Sequence, residues 1–347
     1  MKNNGVYQAL GLQVTCEAVN MMSVEQARES MVRTIDRIDG LIAGSQGFLR
    51  SFAGMPASLV VLPEYFLTSF PLGESIEAWQ EKACIQVDGA EYEKLGAVAQ
   101  KHGIYLSGNA YELDSNFPQL YFQTSFIIDP SGNVVLRYRR LVSMFAPTPH
   151  DVLDAYLDAY GEEGLFPVAD TDIGRLACVA SEEILYPEIT RALALRGAEV
   201  ICHSSSEVGS PQDTPKNIAK RARAYENNVY VVSANSAAIT GIPFPAQSTN
   251  LHSQVVDYQG AVLGEAASGE SMCGHGEVDI ESLRRTRRKA GMTNTLARQR
   301  LELFTHVYGG EAVYPANSLQ GVEKIERSHF QDTLQQTIDS LAKRGII

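Results

Sequence analysis

Gly174-Arg175-Leu176-Ala177-Cys178-Val179-Ala180-Ser181-Glu182-Glu183-Ile184-Leu185-Tyr186-Pro187-Glu188 is the stretch on which the fold turns. Its apolar run, residues 176–180, has the length and continuity of a strand buried on both faces. Pro187 suits the first turn of a helix, and that helix should reach Gly197. Working outward, residues 200–203 are a second buried strand, and Thr214-Pro215 opens a helix to about Asn227 by the same logic. Residues 229–234 form another strand. Residues 254–258 and 261–266 flank Gln259-Gly260 as a hairpin.

The first half of the chain shows the same order. Residues 7–16 are expected as one strand. Ser23 with Gln26 makes a capping box, and Val24, Ala27, Met31, Ile35 and Ile38 continue at helical spacing. The run 58–62 is a buried strand ending at Pro63-Glu64-Tyr65. A helix over 91–101 stops at Gly103, and residues 104–111 are a strand. Residues 121–128 and 134–138 enclose the turn Asp129-Pro130-Ser131-Gly132-Asn133.

Strands and helices alternate in both halves, with no linker between them. This predicts an α/β domain of residues 1–283 in which two sheets pack face to face under outer helices, a four-layer α-β-β-α sandwich. Residues 284–347 are expected as a C-terminal extension. Its helix after Ser328 would present Phe330, Leu334, Ile338 and Leu341 on one face, which needs a partner in the core or in another subunit.

Composition excludes several classes. The chain has 347 residues, 44% hydrophobic and 20% charged, with a formal charge of −12. That balance gives no reason to expect nucleic acid or an anionic membrane as partner. The basic run Arg284-Arg285-Thr286-Arg287-Arg288-Lys289 is expected as a solvated or subunit-contact segment. Cys16, Cys84, Cys178, Cys202 and Cys273 are scattered, with no Cys-x-x-Cys, which suits a reducing cytoplasm. No apolar stretch approaches the ~18 residues of a membrane span, and the N-terminus lacks a signal-peptide pattern.

The chemistry-bearing segments come in a defined order. Leu62-Pro63-Glu64-Tyr65 places a carboxylate at a strand end. Gly132-Asn133-Val134-Val135-Leu136-Arg137-Tyr138-Arg139-Arg140 is a hairpin strand with a basic end. The 174–188 stretch follows, then Arg221-Ala222-Arg223-Ala224-Tyr225-Glu226-Asn227 and Val231-Val232-Ser233-Ala234-Asn235. In this order the chain resembles the carbon–nitrogen hydrolase (nitrilase) superfamily from about Tyr7 to Leu283.

The resemblance implies the nitrilase-like sandwich and an amide or nitrile hydrolase using Glu, Lys and Cys at one site. The thiolate attacks, the glutamate moves protons and the lysine stabilises developing charge. Carried over by position, Glu64 matches the glutamate, Arg140 stands for the lysine and Ser181 for the cysteine. The family's second glutamate, some eight residues past the lysine, has no counterpart in Ala146-Pro147-Thr148-Pro149-His150. Tyr65, Glu183 and His203 are the expected substrate contacts.

The departures have chemical consequences. A serine hydroxyl needs a stronger base than a thiol does, so nitrile hydrolysis is not expected. Arg140 can hold an anion but does not deliver a proton. An Arg140–Glu64 ion pair would weaken the carboxylate as a base. Cys178, three residues before Ser181 on one strand, should face the other way and serve as core, and Cys202 is read as core too.

Other chemistries lack their residues. Ser181 is not in Gly-x-Ser-x-Gly, the seven histidines show no metal-ligand spacing, and there is no Gly-x-x-x-x-Gly-Lys loop. Two readings stay open. One is an atypical amide hydrolase with Ser181 as nucleophile; the other is a silent relative that binds a small amide or acid, or serves as an assembly partner. Either needs no metal or cofactor, and a homodimer or larger homo-oligomer is expected.

Overall fold

The computed structural model describes residues 5–209, 213–322 and 324–347. The first strand expected from the sequence is two: β1 (Val6–Gly11) and β2 (Thr15–Glu17). The chain leaves its first sheet after Gly11, and β2 pairs instead with β11 (Ala238–Thr240). A Cβ on Gly11 would lie 2.1 Å from the Ser233 carbonyl oxygen, so the two sheets approach here too closely for any side chain.

The first large sheet joins β1 to β3 (Ala57–Val61), β4 (Tyr105–Leu113), β5 (Tyr121–Ile128), β6 (Val134–Arg139) and β14 (His275–Asp279), in the order β14-β1-β3-β4-β5-β6. The second joins β7 (Ala169–Thr171), β8 (Gly174–Ala180), β9 (Val200–Ser205), β10 (Tyr230–Asn235), β12 (Gln254–Val256) and β13 (Val262–Glu265), in the order β13-β12-β10-β9-β8-β7. Each has a parallel centre, β1-β3-β4 and β8-β9-β10, flanked by antiparallel strands. Parallel strands need crossovers, and helices supply them.

α1 (Val24–Phe52) begins with the expected capping box of Ser23 and Gln26. It lies on the outside of the first sheet with α2 (Ile76–Ala83) and α3 (Ala90–His102), so that Met31, Ile35, Leu95 and Val98 pack on Val60, Leu106 and Phe126. Gly103, at φ 62°, ends α3 in the left-handed conformation that glycine adopts without penalty. α5 (Pro187–Leu195) and α6 (Pro215–Asn227) cover the second sheet through Leu193, Ala219 and Ala224. Between the sheets, Tyr7, Leu59, Ile127 and Tyr138 meet Leu176, Cys178, Ile201 and Val231. The result is the four-layer α-β-β-α sandwich.

The expected boundary at residue 283 falls inside a helix, α7 (Ile280–Arg288), which follows directly on β14. Its basic run is a brace: Arg284 bonds Glu199 through Nε (2.7 Å), and Arg287 donates to the carbonyls of Ala198 and Asn228. Beyond a short turn, α8 (Thr305–Tyr308), the tail returns to the core as α9 (Arg327–Lys343). Its buried residues are Phe330, Thr333 and Thr337, whereas Leu334 and Ile338 are 37% and 39% exposed. Of the expected face, Phe330 is seated on the core among Phe117, Phe122 and Tyr156 of α4 (Leu153–Tyr160) and its surroundings, while the next turns of that face stay partly exposed.

Candidate active site

β3, β6 and β8 each end at the same side of the sandwich, and the residues that follow them share one cavity of about 710 Å³. Glu64, Arg140 and Ser181 all line it, as does Tyr65. Period-two alternation decides which of the two terminal arginines of β6 enters. Arg139 goes the other way, to an ion pair with Asp114 and a stack over the Tyr160 ring at 4.4 Å.

The wall from the first sheet is a continuous network. Gln123 Nε2 and Arg140 Nη1 both donate to Glu64 Oε1, at 2.8 and 3.1 Å. Arg140 Nη1 also donates to Gln123 Oε1 (2.7 Å), Nε to the Val142 carbonyl (2.7 Å) and Nη2 to Glu182. Gln123 is anchored in turn on Asn109, whose Oδ1 also takes the Tyr65 N–H. Buried charges persist only when satisfied in this way.

The wall from the second sheet is different. Directly after β8 the backbone of Ser181 turns to φ 50°, a left-handed conformation that costs a non-glycine residue about 1–3 kcal/mol. Two residues hold it there. His203 Nε2 donates to the Ser181 carbonyl (2.8 Å), and Ser233 hydroxyl donates to His203 Nδ1 (2.9 Å). Burial pushes the imidazole well below its ordinary value, the charge of Lys220 adding to it, so the ring is neutral and this tautomer is the one the carbonyl requires. Glu183 accepts the N–H groups of Leu141 and Val142 at one oxygen and of Ala180 at the other, sewing the turn to the end of β6. Its carboxyl is pushed up to about 7, chiefly by burial, against the pull of Arg140.

These two residues correct the expected substrate contacts. Glu183 and His203 are wholly buried and absent from the cavity lining; Glu183 accepts three backbone N–H groups, and His203 is taken by the Ser181 carbonyl and the Ser233 hydroxyl. Tyr65 does line it, stacked on Tyr111 with ring planes 2° apart. Cys178 and Cys202 lie in the core between the sheets, and burial raises the Cys178 thiol well above its ordinary value.

One functional candidate escapes the sequence reading. Lys216 Nζ donates to Ser181 Oγ at 3.1 Å and to Ser205 Oγ at 3.4 Å. Thr214 caps α6 and Pro215 opens it, which fixes Lys216 in the first turn. A cation there opposes the helix dipole, and that local conflict was the available signal. The tail completes the cavity mouth with Lys324, Ile325, Glu326, Arg327 and Phe330. Among the described residues no group of three or more His, Cys, Asp and Glu side chains is arranged to hold a metal ion. No helix among them is long and apolar enough to cross a membrane.

A glutamate, a cation and a hydroxyl thus converge on one end of a two-sheet sandwich, and the comparisons specify the family. A model of the carbon-nitrogen hydrolase family matches residues 21–288, and the chain belongs to that family. A nitrilase and fragile histidine triad fusion protein of Caenorhabditis elegans is 30% identical over 252 residues, 71% of this chain. The match spans only 54% of that protein's length. The omega-amidase of Mus musculus is 24% identical over 258 residues, covering 74% of this chain and 88% of the amidase. The crystal structure of a carbon-nitrogen hydrolase from Helicobacter pylori G27 superposes with a TM-score of 0.63 at 19% identity, over 88% of this chain and 99% of that one.

Proposed function

We propose that the protein is a hydrolase of small carboxamides in which Ser181 takes the place of the nucleophile. The observation that carries this reading is Ser181 itself: a hydroxyl at the cavity wall, held in a strained backbone conformation by bonds to its own carbonyl and to the flanking N–H of Ala180. Strain maintained by surrounding structure is a mark of a working site. The relatedness to an omega-amidase favours amide over nitrile, and a hydroxyl in place of a thiol disfavours nitrile further. Arg140 supplies a fixed positive charge for the developing oxyanion, and Glu64 orients it. The test is ammonia release from a panel of short carboxamides and nitriles. Release from amides that Ser181→Ala abolishes supports the reading; amide turnover surviving that change, or vigorous nitrile turnover, overturns it.

A second reading has its own support. Arg140 already satisfies Glu64, Gln123, Glu182 and the Val142 carbonyl, so the family's cation is spent on structure. Under this reading the chain binds a small amide or carboxylate without turnover, which calorimetry with unreacted ligand would reveal. We further propose that copies pair as a homodimer or larger assembly through the exposed Tyr186, Leu195, Ile218 and Tyr225 on and beside α5 and α6. Sedimentation showing a monomer at micromolar concentration removes that proposal. The five cysteines are all free, buried at positions 16, 84, 178 and 202 and exposed at 273, which supports a reducing cytoplasm.

A further inference from the structure

The family's three-residue chemistry is incomplete at Ser181 if only the expected positions are counted. Arg140 has four of its five guanidinium N–H donors engaged, and Glu64 Oε1 is shared between Gln123 and Arg140. Neither of them hydrogen-bonds the Ser181 hydroxyl. The group that does, among the described residues, is the amine of Lys216, 3.1 Å from Oγ. It reaches the serine from α6, beside the cavity, and shares its second bond with Ser205 at the end of β9.

We propose that Lys216 is the general base for Ser181, so that the site works as a serine–lysine dyad whose lysine has moved from the hairpin to α6. This rests on the reading of Ser181 as nucleophile and adds to it the residue that activates the hydroxyl. A lysine can serve a serine in this way when it is neutral and within hydrogen-bond reach. Lys216 stands in the first turn of α6, and Lys220 follows one turn later.

The proton account closes. In the proposed step the lone pair of the Lys216 amine takes the Oγ proton as Oγ bonds the amide carbon and the carbonyl pair moves to oxygen. The tetrahedral intermediate collapses, the C–N bond breaks, and the ammonium of Lys216 returns the proton to the leaving nitrogen, which departs as ammonia. Water then attacks the acyl ester as the Lys216 amine accepts its proton, and when the acyl C–Oγ bond breaks the Lys216 ammonium returns that proton to Oγ, releasing the acid and regenerating Ser181.

The experiment uses a short-chain alkyl fluorophosphonate on the full chain, with intact mass and peptide mapping of the labelled residue. Labelling forms the Oγ–P bond, breaks P–F and expels fluoride, so it reports activation of Ser181 without needing the true substrate. Three proteins are compared after circular dichroism confirms that each is folded: the chain as it stands, Lys216→Met and Lys216→Arg. The dyad predicts labelling at Ser181, slowed at least ~10²-fold in both variants. Arginine keeps charge and donor but cannot act as a base, so labelling in Lys216→Arg within about twofold of the parent would show a merely electrostatic role and overturn the dyad. No labelling of Ser181 in the parent also overturns it. Lysine-dependent labelling without ammonia release keeps the dyad and removes only the carboxamide substrate. Ammonia release with labelling indifferent to Lys216 does the reverse.

Discussion

The two walls of the cavity are finished to different degrees. The first-sheet wall, Glu64, Gln123, Asn109 and Arg140, has its hydrogen-bonding groups paired with one another and is built from groups that lie at or below 9% exposure. The second-sheet wall puts one hydroxyl and one amine in contact on a strained turn. A buried network of charges must be satisfied to exist at all, so the first wall is stable and committed. The second holds the Ser181 hydroxyl against the Lys216 amine, and backbone at positive φ occurs on both sides, at Tyr65 (38°) and Ser181 (50°). Stability and chemistry are thus divided between the sheets, and substitutions on the two sides should behave oppositely.

The largest effect should come from Ser181→Ala, which is expected to lower ammonia release at least ~10³-fold while leaving the thermal midpoint nearly unchanged. Equal activity in this variant would dissolve the distinction between the walls. Next, Arg140→Met leaves Glu64 buried without its cation, and unfolding in urea should show a loss of about 3–5 kcal/mol. A loss under about 1 kcal/mol would mean that the first wall is far less committed than its bonds indicate.

The pin between the walls has a pH signature. The Glu183 carboxyl stands at about 7 in the folded protein against an ordinary 4.5, so between those values the folded state binds the proton that the unfolded state has lost. Its contribution is present in full below pH about 4.5 and is lost as pH rises to about 7, a fall on the order of 3 kcal/mol. Glu183→Gln should flatten that slope. It should also lower stability at acid pH, since an amide cannot accept all three backbone N–H groups. Unfolding free energies at pH 4.5 and 7.5 for both proteins decide it; an unchanged slope in the variant would assign the pH dependence elsewhere. The smallest effect is of opposite sign. Ser181→Gly relieves the backbone at φ 50° and should raise stability by about 1 kcal/mol while abolishing turnover. A destabilised glycine variant would show that the hydroxyl, through Lys216, also holds the fold together.

How much of this was legible beforehand follows the range of the interaction. The capping box at Ser23, the turn at Asp129-Pro130-Ser131-Gly132-Asn133 and the Gly103 stop are local, and the structure shows each. α2 was not foreseen, although Ser75 caps it, because its eight residues are too few for a periodic pattern to stand out. The run 7–16 reads as one strand because its apolar pattern is continuous; the division after Gly11 arises from the approach of the second sheet, which no local signal carries. Similarly, the apolar face of α9 is legible in its sequence, but that Phe330 seats on the core while Leu334 and Ile338 stay partly exposed is decided by packing.

By itself the sequence determined the sandwich, the alternation of its elements and the three strand ends at which Glu64, Arg140 and Ser181 stand, since burial on both faces and turn chemistry are written in runs of adjacent residues. Tertiary structure alone decided who touches whom at those ends. Residue spacing says that His203 follows a strand facing the same region, but only packing reveals that its two nitrogens are taken by Ser233 and the Ser181 carbonyl. Nor does any spacing relate Ser181 to Lys216, 35 positions apart, until α6 docks on the second sheet and brings amine to hydroxyl. Hydrogen bonds act over about 3 Å, whereas sequence patterns specify only which face a residue shares, and a site is decided at the shorter distance.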